Sequence, residues 1–352
     1  MKKTLFAALA LVSMASCSNE EVLEVAQKEA IGFENAFVNN STRSVEDPSF
    51  TSEENGKMFS NFAVYGFVNG ATLFNGTEVK GSGFGDNATW NYEGNQYWVG
   101  GAKYNFAAIA PLTNGNWNKA SSSVDNTNKI VTTLDFTNNG ITDLLYAANE
   151  QYTATATGNS KVGFTFNHIL SKVKFTFVNQ YTSTGATIRV ENIHVTNAHE
   201  SGSVTLTLGN ETNPIVANWT VDEPTLNIDF GNAALASVDA KEPFGWDITE
   251  GTNKMESYNE RFIIPGSEHT YIVTFDVQLL INGAEVTKYS HQAEVKFTPV
   301  EGHSYNITTV ITPSNIDPAN PNQQRIEFTV TEIDDWTPGT NPEDITTTTP
   351  VQ

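Results

Sequence analysis

The chain has 352 residues, enough for two domains of ordinary size that each bury their own core. Its 40 Asp and Glu outweigh 19 Lys and Arg, and no basic stripe runs anywhere along it, which excludes nucleic acid as a partner because phosphate binding needs clustered cations. The 21 Phe and 6 Trp exclude disorder, and a single cysteine excludes an intramolecular disulfide and a thiolate zinc site.

The N-terminus reads MKKTLFAALALVSMASC, with Lys2 and Lys3 before an apolar run from Leu5 to Val12 and small residues Ala15 and Ser16 before Cys17. This is a secretory signal, too short to span a bilayer permanently. Small residues directly before the cysteine resemble a bacterial lipobox, which predicts a signal peptide over 1–16 and acylation of Cys17. The alternative is a soluble export signal with an incidental cysteine. One acyl chain gives only marginal anchoring, at about 0.8 kcal/mol per buried CH2, so stable attachment takes two or three. The acidic run Ser18, Asn19, Glu20, Glu21 resembles the tag that takes some envelope lipoproteins to the outer face.

The first strand signal is AIGFENAFV, in which Ile31, Phe33 and Phe37 share a face at period two and only Asn35 breaks it. A polar stretch follows, VNNSTRSVEDPSFTSEENG, an exposed, protease-accessible connector in which Arg43 is the lone basic residue. Phe59, Phe62, Val64, Tyr65, Phe67 and Val68 form the next strand candidate, followed by Asn-Gly turns at 69–70 and 75–76. Trp90, Tyr92, Tyr97, Trp98 and KYNFAAIAP predict a pair of aromatic strands, and DLLYAAN at 143–149 a short buried run. NEQYTATATGNS at 149–160 is the expected domain boundary. Beyond it, KVKFTFV alternates Val173, Phe175 and Phe177 against Lys172, Lys174 and Thr176, which predicts one buried and one wet face. Further runs repeat the signal up to RIEFTVTEIDDW, and a Thr- and Pro-rich tail follows. No helical period is sustained after the signal. The expectation is an all-β chain of two tandem antiparallel β-sandwich domains, at 44–160 and 161–336, with a flexible tail at 337–352.

No catalytic constellation is present: no HExxH, no GxSxG elbow, no P-loop, and GSGFGDN at 81–87 reads as a hairpin loop. His194 and His199, five apart on a strand, fall on opposite faces, which disfavours a metal pair. His168 reads as an edge or core histidine, and Asp334-Asp335 as a solvated turn. Trp90, Trp98, Trp117 and Trp246 suit either core packing or a sugar-stacking platform, and core packing is the preferred reading. A non-enzymatic protein without cofactor or metal is expected.

The ordered features resemble the fimbrillins, subunits of type V fimbriae and their relatives on anaerobic Gram-negative bacteria. They are the lipobox at Cys17, IGFENAFV followed by STRS at 41–44, FAVYGF, WNYEGNQYWVGGAKYNFAAIAP, DLLYAA, FNHILSKVKFTF, RFIIPG, FTPVEGHSYNITTVI and IEFTVTEIDDW. The resemblance implies sandwiches of transthyretin-like, Greek-key topology and a lipidated propeptide at 17–43 that carries a removable strand (Ile31, Phe33, Phe37). It implies cleavage between Arg43 and Ser44, then donor-strand exchange into a surface fimbria on the outer membrane. The donor would come from the C-terminal region, with Ile326, Phe328 and Val330 as candidates, although the same run also reads as the closing strand of the second sandwich. Other fimbrial subunits, a processing protease and a host surface protein or glycan are the implied partners, with the membrane reached through the lipid before processing. The competing reading is a monomeric outer-membrane glycan-binding lipoprotein that keeps its first strand.

Overall fold

The computed structural model describes residues 29–38, 50–53, 56–82, 89–113, 115–155, 161–180, 186–210, 214–235, 253–257, 259–316 and 326–333. The expected signal peptide at 1–16, Cys17, Arg43, Ser44, Trp246, Asp334-Asp335 and the tail at 337–352 lie outside them. Within them the protein is all-β, and its only helix is the single turn α1 (Pro313–Ile316).

The N-terminal part is a closed barrel. Its strands follow one another around the ring as β1 (Phe33–Val38), β6 (Thr89–Tyr92), β5 (Ala71–Ser82), β4 (Asn61–Val68), β7 (Lys103–Ala110), β10 (Leu145–Ala148) and β12 (Val162–His168), which returns to β1. The closing ladder is β7 to β10, from Leu145 opposite Ala110 to Ala148 opposite Ala107. A two-residue strand, β11 (Tyr152–Thr153), adds to β7, and β2 (Phe50–Glu53) pairs with β3 (Gly56–Phe59) as a separate ribbon. The Asn-Gly at 69–70 makes the two-residue β4–β5 hairpin, with φ of 50° and 80°, the left-handed pair that such a turn requires. The second Asn-Gly does not turn the chain: Asn75 pairs with Tyr65 and Thr77 with Val64, so Gly76 forms a bulge within β5.

The barrel corrects the expected pair of sandwiches, and the reason is legible in β4 and β7. FAVYGFV and KYNFAAIA are apolar at both parities, so neither strand has a face to give to water. Phe62 and Val64 point into the barrel, with Tyr104, Phe106 and Ala108. Ala63, Tyr65, Phe67, Ala107 and Ile109 point outward, where a four-stranded sheet covers them. That sheet runs β16 (Ile215–Val221), β15 (Ser201–Leu208), β9 (Ile130–Thr137), β8 (Trp117–Val124). Strand ladders therefore cross residue 160 in both directions: β12 completes the barrel, and β15 pairs with β9.

The remaining strands do form a two-sheet sandwich. One sheet is β18 (Ala233–Leu235), β19 (Asn253–Ser257), β13 (Ser171–Asn179), β23 (Ser304–Ile311), β24 (Phe328–Ile333), with β20 (Arg261–Ile263) also on β13. The other is β17 (Leu226–Gly231), β14 (Ala186–Ala198), β21 (His269–Ile281), β22 (Ala284–Phe297). Phe175, Phe177, Val190, Val273, Phe275 and Ile307 fill the space between them. Two pairings are parallel, β1–β12 and β13–β23, against the wholly antiparallel expectation. The wet face expected on β13 is also corrected. Lys172 is 1% exposed and Thr176 2%, because this central strand is covered on both sides. Lys172 compensates its burial with an ion pair to Glu260 at 3.2 Å, and Thr176 donates to Asn306 at 2.8 Å.

Candidate functional site

The first strand is one stave of the barrel, held between two walls of unequal strength. Along β12 it runs parallel through five residue pairs, from Phe33 opposite Val162 to Val38 opposite Phe166. Against β6 it makes one bridge, Phe33 opposite Trp90. The loop that follows β6 supplies the rest of that second wall. The Ile31 amide donates to the Gln96 carbonyl at 2.8 Å, the Trp98 amide donates to the Glu29 carbonyl at 3.0 Å, and Ala30 bridges Tyr97. Tyr92 ties strand and loop together: its hydroxyl donates to the Ile31 carbonyl at 2.8 Å and accepts from the Gln96 amide at 3.0 Å. Burial pushes the Tyr92 phenol above its ordinary pKa, which keeps that hydroxyl a donor.

Inside the barrel, Phe33 is 2% exposed and Ile31 1%. Phe33 sits in an aromatic box: Phe164 stacks on it at 5.9 Å, and the rings of Phe74, Tyr92, Phe62 and Phe106 lie edge-on at 5.7, 5.6, 6.3 and 6.4 Å. Gly66 makes room for the box, since a Cβ there would stand 2.7 Å from the Phe74 ring and 3.0 Å from that of Phe106. Burying Ile31 and Phe33 stabilises by about 1.5–3 kcal/mol each, an upper bound because the unfolded chain already buries part of that area. A bulge between Glu34 and Ala36 shifts the register, so that Ala36 and Val38 come opposite the inward-facing Phe164 and Phe166 while Phe37 comes opposite Thr165.

The candidate donor residues lie elsewhere, in and next to β24. Phe328 and Val330 are half-buried and pack on the sandwich core, where Phe328 meets the rings of Phe275, Phe175 and Phe177 at 5.6, 5.7 and 6.1 Å. Ile326 precedes the strand and is buried. Among the described residues β24 pairs with β23 alone and lies at the edge of its sheet. Sequence reasoning did not find Tyr92 or the 93–101 loop as the clasp on the first strand; the aromatic, glycine-punctuated WNYEGNQYWVGG was the available signal. Tyr97 and Trp98 belong to that loop and not to a strand, apart from the Tyr97 bridge.

The other singled-out residues have structural surroundings. Trp90 and Trp98 are buried in the barrel, and the Trp117 indole donates to the Pro111 carbonyl at 2.7 Å. His168 is buried with its Nδ1 on the Asp143 carboxylate. His194 lies 4.0 Å from Asp229, whereas His199 packs against His269 with ring centroids 5.0 Å apart, so the two histidines face different groups.

Several solved structures are similar over most of the chain. A candidate cell adhesion protein from Bacteroides ovatus has 16% identity and a TM-score of 0.45, covering 87% of this chain and 96% of that one. A fimbrial assembly protein from Parabacteroides distasonis has 11% identity and a TM-score of 0.42, covering 86% and 95%. The fimbrial anchor protein Mfa2 from Porphyromonas gingivalis has 11% identity and a TM-score of 0.35, covering 86% and 96%. No curated protein matches the chain. The sequence model of the family described as fimbrillin-like matches residues 42–336, well over half of the 352, and the chain belongs to that family.

Proposed function

We propose that this protein is a non-enzymatic structural subunit of a cell-surface adhesive fimbria. In this reading it is exported as a lipoprotein acylated at Cys17, cut between Arg43 and Ser44, and assembled by exchanging its first strand for one from another subunit. Membership of the fimbrillin-like family supports the fimbrial role. The observation that carries the assembly mechanism is the first strand itself, an N-terminal stave seated between β12 and β6 with Phe33 buried in a box of five rings. Uncut, the strand is covalently tethered, and its high effective concentration excludes any competitor. Cutting after Arg43 removes that advantage. Loss of the stave would uncover an aromatic slot with unpaired backbone groups on two walls, which suits addition of a strand from outside.

Ile326, Phe328 and Val330 are the donors in this reading. As an edge strand β24 has one neighbour, while the slot offers two. Phe328 is half-buried at home and would be enclosed there, so exchange gains both hydrogen-bond partners and apolar burial. The test is to cut the purified full chain with an arginine-specific protease and follow its size. Release of the fragment ending at Arg43, with growth of high-mass, heat-labile polymers, is the expected result. A cut chain that stays monomeric and keeps its first strand would contradict the mechanism and favour the glycan-binding lipoprotein.

A further inference from the structure

The stave and the candidate donor share a pattern that extends to a charge. Residues 31–33 read Ile-Gly-Phe and residues 326–328 read Ile-Glu-Phe, with the same aliphatic and aromatic residues two apart and a different residue between them. The parallel register sets Phe33 opposite Val162, which brings Gly32 level with Lys161 on the outer face of the barrel. A Cβ at position 32 would lie 3.0 Å from the Lys161 Cγ, 3.5 Å from Cδ and 3.7 Å from Cε. A side chain there would run alongside the lysine, and a glutamate is long enough to reach the ammonium. The tightest of these contacts is with the Lys161 Cγ, so the lysine must shift by a few tenths of an ångström to admit a side chain at this position.

Lys161 is exposed and has no ion-pair partner among the described residues, and the same holds for Glu327. The geometry points to Lys161 as a specificity-determining residue of the slot. It would pair with Glu327 of a second copy of this chain, seated with its Phe328 in the Phe33 box and its Ile326 at the site of Ile31. This inference rests on the strand-exchange reading and fixes its register. In that register Val330 comes opposite Phe164 without the bulge that interrupts the first strand, so the three apolar donor residues keep the inner face. Gly32 gives the resident strand no group to offer Lys161. The donor therefore has a cross-strand contact that the strand it replaces lacks, which biases the exchange toward the subunit–subunit product.

The experiment uses the full chain cut at Arg43. Assembly rates are measured for the wild type, Lys161→Glu, Glu327→Lys and the double reversal, after circular dichroism has shown that the uncut variants fold. Each single reversal is expected to slow assembly about two- to five-fold at low salt, the range for an exposed pair, and the double reversal to restore it. A chain carrying Lys161→Cys and Glu327→Cys, whose native Cys17 leaves with the cut fragment, is expected to form disulfide-linked ladders on oxidation. Wild-type assembly with unaffected single reversals and no 161–327 crosslink would overturn the register while leaving strand exchange standing. A wild-type chain that does not assemble would sink both.

Discussion

At the scale of single residues, Phe33 is the anchor of the first strand. Truncating it leaves a cavity lined by five rings, so Phe33→Ala in the uncut chain should cost roughly 3–5 kcal/mol, read as a lower urea midpoint at an unchanged slope. A loss under about 1 kcal/mol would mean that the box collapses without it. The sequence showed Ile31 and Phe33 as a buried pair because period two is a local property. The register shift after Glu34, which sets Phe37 opposite Thr165, depends on how β12 presents its backbone and leaves no mark in the alternation. Lys172 and Thr176 were misread for a related cause: alternation shows that two faces differ and does not show what covers the polar one. His291 carries a pH prediction. It stacks on Phe275 at 5.4 Å, its Nε2 has no hydrogen-bond partner among the described residues, and burial holds its pKa below the ordinary histidine value against an opposing pull from Asp276. With the folded value below the unfolded one, stability is complete above about pH 6.5 and falls as the pH drops through that value toward the folded one. His291→Phe should therefore flatten the decline in urea midpoint between about pH 7.5 and 5.5; a decline identical to the wild type would contradict the assignment.

At the scale of elements, the two walls of the slot differ in a way that predicts how the stave leaves. Five pairs hold it to β12, while one bridge and the 93–101 loop hold it on the other side. The Tyr92 hydroxyl is a side-chain tie on that weaker wall. Tyr92→Phe removes two hydrogen bonds, of which the one to the Ile31 carbonyl holds the first strand and is worth about 0.5–1.5 kcal/mol, and should speed release of the fragment after cleavage by roughly two- to ten-fold. Release at the wild-type rate would show that opening starts on the β12 side. Strand positions were legible in the sequence wherever turn residues bounded an alternating or continuous apolar run, as in FAVYGFV and KVKFTFV. Pairing was not. Both parallel ladders and the β7–β10 closure join segments far apart in sequence, and no local period encodes which edge meets which.

At the scale of the whole molecule, the proposed exchange would replace one stave of the barrel and leave the covering sheet in place. One stave of the barrel is an N-terminal strand outside the region matched by the family model, whereas the covering sheet and the sandwich are built from strands beyond Arg43. Cleavage can therefore open the slot while most of the core stays assembled. The candidate donor lies at the edge of the sandwich, with residues 334–352 beyond it in the chain. A subunit with an opened slot in one part and an edge strand in another can link head to tail without either contact consuming the other, which generates a filament when the rotation does not close. The most direct measurement is N-terminal sequencing and size analysis of the protein recovered from the surface of its own cells. The account predicts chains that begin at Ser44 in high-mass polymers that heat dissolves. Monomers that begin at an acylated Cys17 would contradict it.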